Sequence, residues 1–194
     1  MIDAISLLKK YYPAGSDAYA ILLKHSQSVA AKATEIARFL PESTVDVTFV
    51  IEAALLHDIG IRFTSATTLG CFGDLPYLCH GLKGRELLEA EGLPRHALVC
   101  ERHIGVGLTA AEIARQELPL PERDMLPTTL EEQIIAYADL FFSKNPASAG
   151  LERTPDEVRK SLTRFGTDKV DIFDRWHAMF TNSVFSRPKS ASSE

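Results

Sequence analysis

The chain has 194 residues, 45% hydrophobic and 24% charged, so it is long enough to bury one sizeable core and is not a disordered chain. Its formal net charge of -5 argues against general binding to nucleic acids or to anionic membranes. The sequence predicts a cytoplasmic protein for three reasons. Its three cysteines include no CxxC pair, its start is unlike a secretory signal, and no apolar run approaches the ~18 residues that a membrane span needs.

Helical patterns follow one another along the chain. Ser16 is a favourable N-cap for a long helix over residues 16–40, and Pro41 follows it. The next helix begins near residue 42 and carries apolar side chains to a glycine stop at Gly60. Further helices are predicted over residues 82–91, 94–104, 110–117, 130–144, 155–165 and 169–182.

Residues 61–81 form the longest break in this pattern. They mix Gly, Pro, Ser and Thr without periodicity, which predicts an irregular loop about 20 residues long that borders a functional site. No segment alternates as a strand. We therefore expect a single all-α domain of about seven to nine helices over residues 1–183, and a disordered tail over residues 184–194.

Two polar residues fall on apolar helix faces. His25 lies four positions from both Ile21 and Val29, and Asp139 lies four positions after Ile135. An unpaired carboxylate is costly to bury, so Asp139 is expected to meet a positive partner.

Three more histidines lie at predicted helix ends. His57 and Asp58 end an apolar AALL run just before a glycine, His103 also shortly precedes a glycine, and His80 stands where a helix begins. Taken singly, each histidine is more often a hydrogen-bonded core residue, and Asp139 is more often half of a salt bridge. Together, four histidines and two aspartates favour Mn, Fe, Co, Ni or Zn, with Mg as an alternative, and two such ions suit phosphate ester hydrolysis.

The ordered set of residues resembles the HD-domain superfamily of metal-dependent phosphohydrolases. HDIG, at residues 57–60, is a signature string of one branch, and the likeness runs from about residue 20 to about residue 145. ERHIGVGLT and TLEEQIIAYAD are similar to small stand-alone HDIG-type hydrolases, whereas the GYP string of cyclic-dinucleotide phosphodiesterases is missing. The resemblance implies an HD-domain helical bundle, with the helices of residues 155–182 outside the motif core.

The resemblance also implies a role for each polar residue. The first ion would be held by His25, His57, Asp58 and Asp139. Asp58 would bridge to a second ion held by His80 and His103, and His57 and Asp58 would act in catalysis. His96 and His177 have no place in this set and are expected at the surface or in packing.

Basic residues near the ligands are candidates for contact with a substrate phosphate. Many relatives carry Lys or Arg directly after HDIG, but here Ile61 takes that position. The candidates are Arg62, Lys83, Arg85, Arg102 and Lys144. The simplest alternative for each of them is an ordinary solvated charge at the protein surface.

The leading hypothesis is a metal-dependent phosphohydrolase that cleaves a phosphomonoester or phosphodiester bond of a small nucleotide or other phosphorylated metabolite by metal-activated hydroxide. One alternative is a di-iron oxygenase, because some members of the superfamily use the same ligands to hold two irons. A non-catalytic nucleotide-binding module is the other, and the intact ligand set disfavours it.

Overall fold

A computed structural model describes residues 2–41, 44–148 and 150–185 of the chain. In this part of the chain the α-helices are α1 Ala4–Tyr11, α2 Asp17–Phe39, α3 Val47–Leu56, α4 His80–Ala90, α5 Pro94–Arg102, α6 Ala110–Arg115, α7 Leu130–Asp139, α8 Pro155–Leu162 and α9 Thr167–Phe185. The predicted all-α class and its seven to nine helices are confirmed. No helix among these residues is long and apolar enough to cross a membrane.

Side-chain caps fix where several helices begin. The Ser16 hydroxyl accepts a hydrogen bond from the backbone N–H of Tyr19 at 3.2 Å, which confirms Ser16 as the N-cap of α2. Helices α6, α7 and α8 each start with a threonine and a glutamate three residues later that satisfy one another's backbone N–H groups. The starts of α2 and α7, which carry His25 and Asp139, are therefore set locally.

Several predicted boundaries were wrong. Helix α1 was missed, although Asp3 caps it and it buries Leu8. Helix α3 ends at Leu56 rather than Gly60, and a 3₁₀ turn over Ile59–Phe63 follows it. Helix α9 extends through residues 184–185 of the predicted tail, and residues 186–194 lie outside the described residues.

The end of α7 is the boundary error with the largest consequence. The helix was expected to continue to residue 144 but stops at Asp139. Beyond it, Phe142 forms a β-bridge with Glu152, and the backbone N–H of Arg153 donates to the carbonyl of Phe141 at 2.9 Å. These pairings compete with helical hydrogen bonds and turn the chain away from the helix axis.

The predicted irregular loop contains short regular pieces. Strand β1, Ser65–Ala66, pairs antiparallel with strand β2, Cys71–Phe72, so the expectation of no strand was wrong here. Two-residue strands are too short for an alternating pattern to show in the sequence. A 3₁₀ turn over Tyr77–Cys79 then leads directly into α4.

Two clusters of buried apolar side chains make up most of the core. One contains Val29 of α2 together with side chains of α3, α7 and α9, and the other contains Leu22 of α2 with side chains of α1, α4 and α5. His25 lies between Leu22 and Val29 on α2, so it stands where the clusters meet. The assignment of residues 1–183 to one domain stays a prediction.

A glycine allows the turn after α3 to approach α4 closely. A Cβ atom at Gly60 would lie 2.1 Å from the backbone oxygen of His80 and 2.3 Å from the backbone nitrogen of Gly84. Only a residue without a side chain fits there, because such distances are far inside van der Waals contact. The close approach brings His57 and Asp58 to the first turn of α4.

Candidate metal centre

Five segments of the chain bring together all six predicted ligands. His25 comes from the middle of α2, Asp139 is the last residue of α7, and His80 is the first residue of α4. His57 and Asp58 directly follow α3, and His103 directly follows α5. All are buried except Asp139, whose side chain is 15% exposed.

The first group of side chains surrounds one oxygen of Asp58. Asp58 Oδ2 lies 3.2 Å from His25 Nε2 and 3.1 Å from His57 Nε2. Asp139 Oδ1 lies 2.9 Å from His25 Nε2 and 3.4 Å from His57 Nε2. All four ligand atoms fall within 4.8 Å of one another, a spacing that a single metal ion can span.

The second group surrounds the other oxygen of Asp58. His80 Nε2 and His103 Nε2 each lie 3.4 Å from Asp58 Oδ1. The two imidazole nitrogens are 3.1 Å from each other. Asp58 therefore presents one oxygen to each group, which is the arrangement of a bridging carboxylate.

Backbone carbonyls set the direction of three imidazole rings. Nδ1 of His57, His80 and His103 lies 2.7 to 2.8 Å from the carbonyl oxygen three residues earlier in the chain. A carbonyl only accepts, so the tautomer assigned to each neutral ring has its proton on Nδ1 and a lone pair on Nε2. The lone pairs of His80 and His103 face each other, and a cation between them would turn this repulsion into attraction.

Unsatisfied buried oxygens support the same interpretation. Both oxygens of Asp58 and Asp139 Oδ1 are buried without a hydrogen bond of good geometry, although Lys144 Nζ lies 2.8 Å from Asp58 Oδ2. Buried carboxylates need cations, and imidazole with carboxylate is the ligand set of transition metals. The residues present therefore fit two divalent ions that share Asp58.

Lys144 is the basic candidate that the structure brings to this centre. Besides its contact with Asp58, its Nζ lies 3.7 Å from Asp139 Oδ1, and its side chain is 15% exposed. Burial lowers the pKa of Lys144, but the carboxylates of Asp139 and Asp58 outweigh burial and raise this pKa above its ordinary value. The ammonium group is therefore charged at neutral pH.

The two groups differ in charge when the protein side chains are considered alone. Burial opposes ionisation of Asp58, yet His57 and Lys144 hold the pKa of its carboxyl well below the usual range. Burial would lower the pKa of His57, but Asp58 and Asp139 raise it to about 10. His80 differs, because burial outweighs Asp58 and lowers the pKa of His80 to about 3, which leaves its ring neutral.

The other four basic candidates have partners outside the cluster. Arg62 donates to the carbonyl of Tyr11, Lys83 pairs with Glu86, Arg85 pairs with Glu89 and Glu101, and Arg102 pairs with Glu132. On α4, Arg85 is five residues beyond His80, so helical rotation places it on a different face, whereas Lys83, three residues beyond His80, shares that side of the helix but pairs with Glu86. Nearness in sequence did not place these side chains at the site.

Sequence reasoning did not single out Tyr77. Its ring lies 4.7 Å from the ring of His80, measured between centroids, and burial raises the pKa of the Tyr77 hydroxyl against the smaller, lowering effect of the charge of Lys144. Tyr77 is 40% exposed as a whole, but partial desolvation of its hydroxyl raises the pKa of the phenol above its ordinary value, so the phenol is neutral at physiological pH. Tyr77 lies in the segment without periodicity. The one feature of the sequence that could have pointed to it is its position three residues before His80.

The remaining two histidines lie elsewhere, as expected. His96 Nε2 contacts Glu52 Oε2 at 3.3 Å, and His177 Nδ1 lies 2.7 Å from the hydroxyl of Tyr137. Neither contact involves the cluster.

The fold and the centre together define an HD domain, and the HD domain family model matches residues 22–142. The chain belongs to the HD-domain superfamily of metal-dependent phosphohydrolases. A solved relative in fold is the HD domain of the L. monocytogenes phosphodiesterase PgpH, with a TM-score of 0.50 and 14% identity over 95% of this chain and all of that one.

Two archaeal proteins are similar in sequence. An uncharacterized protein of Methanocaldococcus jannaschii is 39% identical over 157 residues, which are 78% of this chain and 81% of that protein. A tRNA (cytidine(56)-2'-O)-methyltransferase of Thermoplasma volcanium is 32% identical over 167 residues, which are 86% of this chain. The match spans only 43% of the methyltransferase, so it concerns one part of that longer protein.

Proposed function

We propose that this protein hydrolyses a phosphomonoester or phosphodiester bond of a small nucleotide or other phosphorylated metabolite, with two divalent transition-metal ions held by the six clustered side chains. The observation that carries the proposal is the position of Asp58. One of its oxygens lies 3.1 to 3.2 Å from the imidazoles of His57 and His25, and the other lies 3.4 Å from those of His80 and His103. Membership of the HD superfamily supports the same reaction class.

Each group of the protein has a distinct task in this proposal. Two divalent ions bound there would polarise the phosphoryl oxygens and lower the pKa of a shared water. Carbonyl contacts at Nδ1 hold His57, His80 and His103 with Nε2 directed into the centre. Asp58 and Asp139 supply the negative charge that offsets the cations.

Lys144 is proposed as the group that neutralises the substrate phosphate. Its ammonium stands at the edge of the centre, 2.8 Å from Asp58 Oδ2, and its side chain is 15% exposed. A charge-assisted hydrogen bond from a positioned ammonium stabilises charge that develops on phosphoryl oxygens.

The methyl transfer named for the Thermoplasma relative plays no part in this proposal. The match leaves more than half of that protein uncovered, and the six clustered residues need no methyl donor for hydrolysis.

Elemental analysis of protein purified without added metal, followed by a panel of phosphatase and phosphodiesterase substrates with Mn, Fe, Co, Ni and Mg, tests the proposal. We expect close to two ions per chain, turnover of phosphate esters, and loss of that turnover in Asp58→Asn. His96→Ala is the matched control, because it removes a buried histidine that pairs with Glu52 outside the cluster. An iron-loaded protein that consumes oxygen with substrate and cleaves no ester would favour the di-iron oxygenase instead.

A further inference from the structure

An apolar cavity of about 290 Å³ has residues in its wall that neighbour metal-centre residues in the chain. Its wall includes Leu78, Ile104, Val106, Leu108, Leu140 and Phe165. The polar side chains in the wall are few, and none of them belongs to the six clustered residues.

Three parts of the cavity wall continue directly from metal-centre residues. Ile104 follows His103, Leu140 follows Asp139, and Leu78 lies two residues before His80. Consecutive Cα atoms are about 3.8 Å apart, so each of these wall residues begins within a few ångströms of a ligand residue's backbone. A substrate with its phosphate at the centre would have this cavity as a neighbour.

The charges in the wall are already paired with each other. Lys169 Nζ lies 2.6 Å from Glu112 Oε1 and donates to the carbonyl of Gly107 at 3.0 Å. The other oxygen of Glu112 accepts from Thr109 at the start of α6. Because both charges are satisfied within the protein, the cavity offers little to an ionic group and favours an apolar one.

The size of the cavity limits what it would hold. Sites for small molecules begin at roughly 300 Å³, so a cavity of about 290 Å³ has room for a ring-sized group. Phe165 in the wall is 69% exposed, and a flat apolar group entering the cavity would cover part of that ring.

We propose that this cavity receives an apolar, ring-sized substituent of the substrate whose phosphate lies at the metal centre. The inference rests on the proposed function and adds a specificity determinant to it. Hydrophobic burial of the ring would supply affinity that the phosphate alone does not give.

The test compares phenylphosphonate with methylphosphonate, which share a phosphonate that is not hydrolysed and differ in the ring. Calorimetry on the manganese-loaded full chain should give binding at least about tenfold tighter for phenylphosphonate. Ser161→Trp fills the cavity from α8 and should remove this ring advantage. Lys160→Trp adds the same side chain at the exposed neighbouring position of α8 and should keep it.

Every outcome decides the inference. Equal binding of the two phosphonates, binding of neither, or a ring advantage that survives in Ser161→Trp overturns it. If circular dichroism shows that Ser161→Trp does not fold, Gln116→Trp fills the cavity from the end of α6 and is held to the same criterion.

Turnover separates this inference from the proposed function. Hydrolysis of phenyl phosphate and glycerol 2-phosphate with equal kcat/KM would leave the proposed hydrolysis standing and overturn the cavity assignment. A ring advantage in binding without hydrolysis of any ester would overturn the hydrolysis and support the cavity as a binding site.

Discussion

The two halves of the metal centre are built differently. The first half, His25, His57, Asp139 and Oδ2 of Asp58, takes residues from α2, α7 and the end of α3, and Lys144 adjoins it. The second half, His80, His103 and Oδ1 of Asp58, takes its residues from the start of α4 and the end of α5. The first half joins segments from across most of the sequence, whereas both histidines of the second half come from one helix pair.

The halves also differ in charge, which predicts unequal metal affinity. Each half has two imidazoles, but the first has two carboxylates, whereas the second has only the carboxylate of Asp58 that the halves share. Since attraction to a dication grows with the negative charge around it, the first ion should bind more tightly than the second. The following predictions test this difference.

Replacement of Asp58 should affect both halves at once and have the largest effect. In Asp58→Ala, hydrolysis should fall at least about a thousandfold, because the bridging carboxylate is removed. The ions should also stop stabilising the fold, because a ligand stabilises only through binding to the native state. Melting temperatures with and without chelator should therefore differ for the wild type and coincide for the variant. Robust turnover by a clean Asp58→Ala preparation would defeat the proposed mechanism.

Replacement of a histidine should separate the halves. His80→Ala and His103→Ala should lower the metal content toward one ion per chain and reduce turnover about a hundredfold. His25→Ala removes a ligand of the tighter half and should lower metal affinity further. Metal analysis after dialysis measures this, with His96→Ala as the control. Wild-type stoichiometry in both His80→Ala and His103→Ala would make these histidines structural or substrate-facing.

Gly60→Ala tests the contact that holds the two halves together. Its Cβ would lie 2.1 Å from the backbone oxygen of His80, so the turn and α4 must separate. We expect the free energy of unfolding to fall by about 2 to 4 kcal/mol in denaturant titrations. Gly84→Ala should cost less, since its Cβ would meet Cys100 Cβ at 3.0 Å. Wild-type stability of Gly60→Ala would show that the two segments have room to move.

Lys144→Met concerns the first half alone and should have the smallest effect. Removing an ammonium 2.8 Å from Asp58 Oδ2 removes repulsion of the incoming ion, so metal affinity should rise by up to about tenfold. Turnover should fall by about the same factor, because the phosphate loses a positive partner. Lys83→Met is the control, since Lys83 pairs with Glu86. Weaker metal binding in Lys144→Met would contradict this assignment.

The sequence predicted the fold class and most helices because the caps, glycine stops and apolar stripes are local signals. Ser16 and the glycines after His57 and His103 marked helix ends, and the core face of α2 marked His25. Local signals do not predict which helix ends meet in space. For the six candidate ligands, that expectation depended on the resemblance to HD domains.

Lys144 shows why the phosphate-binding candidates were harder to predict. If α7 continued to residue 144, Lys144 would lie about 140° around the helix from Asp139 and would point away from the ligands. It reaches Asp58 only because α7 stops at Asp139 and the chain turns into the bridge between Phe142 and Glu152. That stop depends on tertiary pairing, which periodicity does not encode.

The close approach at Gly60 also shows that the residues of the HDIG string have two different roles. His57 and Asp58 belong to the cluster of candidate metal ligands, whereas Gly60 contributes no ligand and lets α4 approach closely. The two requirements are physically distinct, because a chain that lost His57 or Asp58 but kept Gly60 would still have room for the close approach of α4. In such a chain the presence of the glycine would indicate that the close packing of the turn on α4 is kept. The presence or absence of the histidine–aspartate pair would indicate whether the proposed metal ligands are kept as well.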